Sequence, residues 1–278
     1  MFIGLLTVPF GNQSLEHVLT FAKDSGFSAV EIDTNVGSGH IDAAAIVDGN
    51  DADVRNLIND SGLTISALGM YSNMTEADPS LRKQTMDNFR TGIDAAARLG
   101  VDRIITLPGT PLPGLNKFET IERVCPEVFQ PLCDHAAEKG VRIALENWYM
   151  SNLQGLEHYS CFFEAVNRKN IGLNFDPSHL VHQGIDYLYA AEHFQDRIFH
   201  VHAKDTEVNE HQRRWIGYLE SGWWRYVIPG FGAIRWGEFI GTLQRVGYND
   251  VLSIEHEDSA LGIEEGFIKG RQFLSQFV

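Results

Sequence analysis

At 278 residues, the chain is long enough for one large barrel or for two average domains. Its 44% hydrophobic and 21% charged residues exclude the biases that mark disordered or fibrous chains. A formal net charge of −15 repels phosphate backbones and anionic lipid, which sets nucleic acid and membrane surfaces aside as partners.

The opening run Met1 to Phe10 is apolar, lacks a basic n-region and a small-residue cleavage site, and is too short to span a bilayer. It reads as a first strand. Seven further apolar runs follow: Ala29 to Ile32, Thr64 to Leu68, Arg103 to Leu107, Arg142 to Glu146, Ile171 to Phe175, Ile198 to His202 and Val251 to Glu255. With Ile3 to Leu6 in the first, they make eight. Amphipathic stretches separate them, among them Ser14 to Ser25 with Ser14 as N-cap, Leu81 to Leu99, Phe118 to Lys139 and Trp236 to Val246. Gly26, Gly62, Gly100, Gly140 and Gly247 each stand where a helix ends before the next strand, a position that calls for a left-handed cap.

Eight β-α units without a linker predict one (β/α)₈ TIM barrel over residues 1–278. The first strand lacks the Gly-x-Gly-x-x-Gly turn of an open dinucleotide-binding sheet. One segment breaks the rhythm. Thr206 to Arg235, between the seventh and eighth barrel strands, is long and carries Trp215, Trp223, Trp224 and the Gly230-Phe231-Gly232 turn. A loop of this length is expected to be functional or disordered, and its aromatic content argues against disorder. Cys125, Cys133 and Cys161 are too few and too scattered for a disulfide framework or thiolate zinc site, which fits reduced thiols in a cytoplasmic protein.

Active sites of such barrels lie at the C-terminal ends of the strands. Strands five to eight end in Glu146, Asp176, His202 and Glu255, and neighbouring strands can bring their tips to one point. A metal centre and an assembly of salt-bridged capping residues both accommodate this position.

The strings Ala144-Leu145-Glu146-Asn147, Phe175-Asp176-Pro177-Ser178-His179, His202-Ala203-Lys204-Asp205 and Ser253-Ile254-Glu255-His256-Glu257 resemble the xylose-isomerase-like superfamily of sugar phosphate isomerases and epimerases over essentially the whole chain. The mechanistic relatives are the ketose 3-epimerases similar to D-tagatose and D-psicose epimerases. That resemblance implies one divalent ion held by Glu146, Asp176, His202 and Glu255, with Glu146 and Glu255 as the two bases facing a planar enediolate. It also implies a small sugar substrate, contact of His179 with a substrate oxygen, and a dimer or tetramer. Three carboxylates and one imidazole form a hard donor set that favours Mn²⁺, with Mg²⁺ or Co²⁺ as alternatives.

Other residues keep two readings. His179 is a substrate contact or a cap paired with Asp176. Lys204 and Asp205 orient His202, bind substrate or form an ordinary ion pair. His200 and His256 are expected to alternate away from the inward positions, toward packing or solvent. Val208 stands where ketose 3-epimerases carry a sugar-contacting arginine six residues after the metal histidine. Arg225 is the substitute candidate, with a cation-π staple of its loop as the alternative. Trp148, Trp223 and Trp224 form a wall for a sugar face or simply pack the loop. Gly230 and Gly232 offer amides to a phosphate or shape a turn.

Two rivals share the motif. Apurinic endonucleases resemble the chain at the same residues but need further histidines, and the third and fourth strands end Ala67-Leu68-Gly69 and Thr106-Leu107-Pro108. A lyase or hydratase resembling inosose dehydratases, or one acting on 3-keto-glycosides, would share the first proton removal and then expel a β-substituent. A non-catalytic sugar-binding barrel would not require two facing glutamates.

Overall fold

The computed structural model of the chain describes residues 1–11 and 13–278. Eight parallel strands close a barrel: β1 (Phe2–Leu6), β2 (Ala29–Asp33), β3 (Thr64–Asn73), β4 (Arg103–Leu107), β5 (Arg142–Glu146), β6 (Ile171–Phe175), β7 (Ile198–Ala203) and, after an inserted hairpin of β8 (Asp205–Val208) and β9 (Trp224–Val227), β10 (Val251–Ile254). Around the ring, β5, β6, β7 and β10 are consecutive, and β10 closes the barrel by pairing Leu252 with Ile3 and Ser253 with Gly4 of β1. All eight apolar runs form barrel strands.

Each strand alternates between two environments. Outward residues such as Val30, Leu68, Ile104, Ile143, Leu145, Ile171 and Leu173 enter the large apolar layer beneath the helices. Ala67, Ile105 and Ala144 form a separate small cluster with Tyr71 and Phe199. Helix ends follow local chemistry. Ser14 caps the helix Leu15–Asp24 by accepting from the His17 amide at 3.2 Å, and all five glycines expected to end helices have φ between 70° and 87°.

The stretch Phe118 to Lys139 is two helices, Lys117–Arg123 and Cys125–Glu138. Pro126 explains the break. It has no amide hydrogen to continue the ladder, and its ring clashes with the carbonyl one turn back.

The insertion is regular rather than a loop. β8 and β9 pair antiparallel, with Thr206 opposite Tyr226 and Val208 opposite Trp224, and the helix Glu210–Ile216 lies between them. Asp205 anchors its return: its carboxylate accepts from the Trp236 indole at 2.8 Å and from the amides of Thr206, Gly230 and Ile234 at 2.8, 3.1 and 3.0 Å. A Cβ on Gly232 would stand 2.2 Å from Asp205 Oδ1. The glycine pair therefore lets the chain fold tightly over a buried carboxylate, and the Gly230 amide is occupied by it. No helix among the described residues is long and apolar enough to cross a membrane.

Candidate metal centre and active site

Strand alternation aims the last inward residue of each of the four consecutive strands at the same end of the barrel. Glu146, Asp176, His202 and Glu255 present one ligand atom each, all within 4.8 Å of one another, and all four side chains are buried. His202 Nδ1 lies 2.9 Å from Glu255 Oε2 and 3.9 Å from Glu146 Oε1. Asn147 fixes the backbone at the end of β6: its amide donates to the Asp176 carbonyl at 2.9 Å and accepts from the Asp176 N–H at 2.7 Å. The other Asp176 oxygen, Oδ1, accepts from the Ser178 amide at 2.8 Å.

The donor set fits a divalent cation. Asp176 Oδ2 and His202 Nδ1 are buried and make no hydrogen bond of good angle, although Lys204 Nζ stands 3.2 Å from the first and Glu255 Oε2 2.9 Å from the second, and a buried polar atom left without one ordinarily costs about 1–3 kcal/mol. Both atoms belong to the four-residue cluster, so a cation there satisfies them together. Three carboxylate oxygens and one imidazole nitrogen suit a hard or borderline divalent ion.

Lys204, fully buried, threads its ammonium into the same cluster. Its Nζ lies 2.8 Å from Glu255 Oε2, 3.2 Å from Asp176 Oδ2, 3.3 Å from Glu257 Oε1 and 3.8 Å from Glu146 Oε1. Burial works against its charge, but the surrounding carboxylates outweigh it and hold the ammonium well above the usual lysine range. Lys204 therefore sits among the acidic groups rather than orienting His202, and Asp205 serves the hairpin.

The two glutamates are pushed apart. Burial and the neighbouring Glu255 charge raise Glu146 to about 7. Burial would also raise Glu255, but Lys204 and His202 overcome it and hold that carboxyl well below the carboxylate range. Glu257, two residues beyond Glu255 on the same face, is raised to about 7 by burial, against the lowering effect of Lys204.

His179 is buried and faces the cluster from the helical turn after β6. Burial and the Lys204 charge depress it to about 3, so its ring is neutral. Its Nδ1 is 2.5 Å from the Tyr226 hydroxyl and its Nε2 is 3.0 Å from Glu146 Oε1. Burial pushes the Tyr226 hydroxyl far up, so it stays protonated and donates to Nδ1. That leaves the hydrogen on Nε2, donated to Glu146.

A cavity of about 390 Å³ opens onto these groups, walled by Leu6, Val8, Leu107 and Trp148 and by Tyr71, Tyr226 and Glu257. Arg225 lies outside this lining. Its guanidinium pairs with Glu207 and with Asp258 at 2.6 Å, and the next residue on β9, Tyr226, takes the inward place. Trp148 lines the cavity, Trp224 stacks on His182 at 3.8 Å between ring centres, and Trp223 is buried against Tyr218.

The expectation that His200 alternates away from the interior is overturned. Positions 200 and 202 share one face of β7, and His200 is fully buried, bonded to Asn174 Oδ1 at 2.9 Å and Ser66 Oγ at 3.2 Å. Its ring is 5.9 Å from that of His202. His256 does point away, and packs on Phe267. Glu31 was absent from the sequence candidates. It lies under the site on β2, fully buried, and accepts from His202 Nε2 at 3.0 Å, from Ser253 Oγ at 2.8 Å and from the Tyr71 hydroxyl. A charged residue inside the five-residue strand Ala29–Asp33 was the available signal, because a carboxylate that a strand buries needs partners.

Comparison with known proteins agrees with the barrel fold. The chain is 26% identical to the YfiH protein of Bacillus subtilis (strain 168), over 100% of its own length and 99% of that protein. It is 29% identical to inosose isomerase of Bacillus velezensis over 69% of this chain, an alignment that spans only 66% of the isomerase. A crystal structure of the IOLI protein with a bound zinc atom superposes with a TM-score of 0.79 at 23% identity, covering 100% of this chain and 99% of that one. The site is thus a divalent-metal-coordinating centre consistent with an isomerase- or epimerase-type mechanism. Residues 19–277 match the family model described as xylose isomerase-like TIM barrel, and with its closed barrel the chain belongs to that family.

Proposed function

We infer that the chain moves a proton beside the carbonyl of a small sugar or keto-cyclitol, as an isomerase or epimerase, with one Mn²⁺ as its preferred ion. The observation that carries this reading is the pair Glu146 and Glu255. They sit in one ligand cluster and open onto one cavity.

Glu146, Asp176, His202 and Glu255 would hold the ion. When bound, a divalent ion supplies Lewis-acid stabilisation of negative charge developing on a substrate oxygen, an effect worth several kcal/mol. Glu255, kept ionised, takes the proton from the carbon beside the carbonyl. Glu146, hydrogen-bonded to His179, returns a proton to the substrate. The Lys204 ammonium offers donors to hydroxyl oxygens, and the His179 Nε2 hydrogen would be shared between Glu146 and a substrate oxygen. Trp148, Leu6 and Leu107 exclude water from the apolar face of the ring. The inosose isomerase relative supports a cyclic polyol ketone as one substrate class to try.

The test is incubation of the Mn²⁺-loaded protein with inososes, ketoses and 3-keto-glycosides in heavy water, read by NMR. Deuterium at the carbon beside the carbonyl, with all C–O bonds kept, is the expected result. Loss of water or of an aglycone would replace epimerisation with elimination, and no exchange with any of these compounds would overturn the reading. Glu146→Gln and Glu255→Gln should each lower exchange by about 10²-fold or more, the scale of a positioned acid or base.

A further inference from the structure

We propose that Glu31 is the positioning residue for the metal centre: its carboxylate holds a hydrogen of His202 on Nε2, so that Nδ1 is the nitrogen left to bind the ion. Three observations carry this. Glu31 and His202 are both fully buried, and Glu31 Oε2 lies 3.0 Å from His202 Nε2. The opposite nitrogen, Nδ1, makes no hydrogen bond of good angle and is the atom turned toward Glu146, at 3.9 Å, and Glu255, at 2.9 Å. Glu31 itself is held from three sides, by His202, by Ser253 two residues before the ligand Glu255, and by Tyr71, which lines the cavity.

An ionised carboxylate only accepts, so the ring must donate to it. In the neutral imidazole a hydrogen on Nε2 leaves the lone pair on Nδ1. A carboxylate behind a ligating histidine fixes its tautomer and ring angle and raises its basicity, and loss of such a partner typically costs 10- to 100-fold in metal affinity. The partner arrives from β2, across the barrel from the four ligand strands. A second possibility on the same atoms is that Glu31, His200 and His202 themselves hold an ion, since their ligand atoms also lie within 4.8 Å of one another. The existing bonds of His200 to Asn174 and Ser66 already satisfy both of its nitrogens and favour the positioning role.

The experiment measures Mn²⁺ affinity and stoichiometry by calorimetry, and the His202 ring nitrogens by ¹⁵N NMR on the Zn²⁺-loaded protein, for wild type and the isosteric Glu31→Gln. Wild type should bind one ion with the hydrogen on Nε2. The variant should bind one ion 10- to 100-fold more weakly, with the Nε2 proton resonance moved upfield. Glu31→Asp should recover part of the affinity. Equal affinity in the Gln variant, or a hydrogen on Nδ1 in the wild type, overturns the proposal. Two ions in the wild type and one in the variant would make Glu31 a ligand instead. Failure of wild type to bind any ion would remove the metal centre together with the proposal, whereas absent activity in a protein that binds one ion would bear on the proposed reaction alone. If Glu31→Gln does not fold, the wild-type tautomer and stoichiometry still decide.

Discussion

Tyr226 and Arg225 are adjacent on β9, yet only one faces the chemistry. The two-residue period of a strand puts Tyr226 over His179 and sends Arg225 to Glu207 and Asp258. If the Tyr226 hydroxyl sets the His179 tautomer, Tyr226→Phe leaves a buried Nδ1 without its donor, a loss of about 1–3 kcal/mol. The expected outcome is a kcat about tenfold lower or worse with KM little changed, measured as deuterium exchange under saturating substrate. A kcat within twofold of wild type would assign the hydroxyl to packing alone. Arg225→Ala should leave kcat within about twofold, but because it strips the cation from a buried Asp258 its stability cost should exceed the ~0–1 kcal/mol of surface pairs.

Among the outer helices, Ala52–Ser61 begins at Asp51, whose side chain caps no amide of its own helix. Its carboxylate instead binds Arg98 at 3.0 Å, from the helix Pro79–Leu99, and Arg55 one turn on. Hydrogen bonds from Arg98 and then Arg55 hold the Asp51 carboxyl well below the usual range. A depressed folded pKa gives stability that is present above the unfolded value, about 3.9, and lost as pH falls toward the folded one. Asp51→Asn should therefore lower Tm at pH 7, and the two melting curves should converge as the pH is taken below 3. A difference that persists unchanged at low pH would show that the carboxylate charge is not what ties these helices.

At the scale of the whole barrel, the four proposed ligands come from four strands that span half the ring, so an ion would tie together elements that are remote in sequence. A ligand that binds only the folded state stabilises it by about 2.7 kcal/mol at a hundredfold excess over Kd. For a chain of this size that corresponds to roughly 5 °C in Tm. Calorimetry should show such a rise with Mn²⁺ and its reversal with EDTA, and Asp176→Asn should shrink it. An unshifted Tm in protein that binds the ion would place binding outside the folded barrel. Cys125 and Cys133, buried and raised to about 12 by that burial, should resist thiol reagents at neutral pH until the barrel unfolds.

The barrel was legible because its signal is local: apolar runs of strand length recur eight times, amphipathic stretches separate them and a glycine ends five of the helices, and each can be seen within a short window. The four proposed ligands could be singled out because they end such runs in a recognisable motif. Glu31 and His200 were not, since their meaning lies in partners 171 and 134 residues away, which only closure of the ring brings within hydrogen-bond reach. The same holds for the aromatic insertion, where Trp223-Trp224-Arg225-Tyr226 gives no indication of which side chain turns inward. Antiparallel pairing with Asp205–Val208 decides that, and it depends on a buried Asp205 finding Trp236 and three backbone amides. Periodicity is written along the chain, whereas the pairing of buried charges is set by distances that exist only after folding.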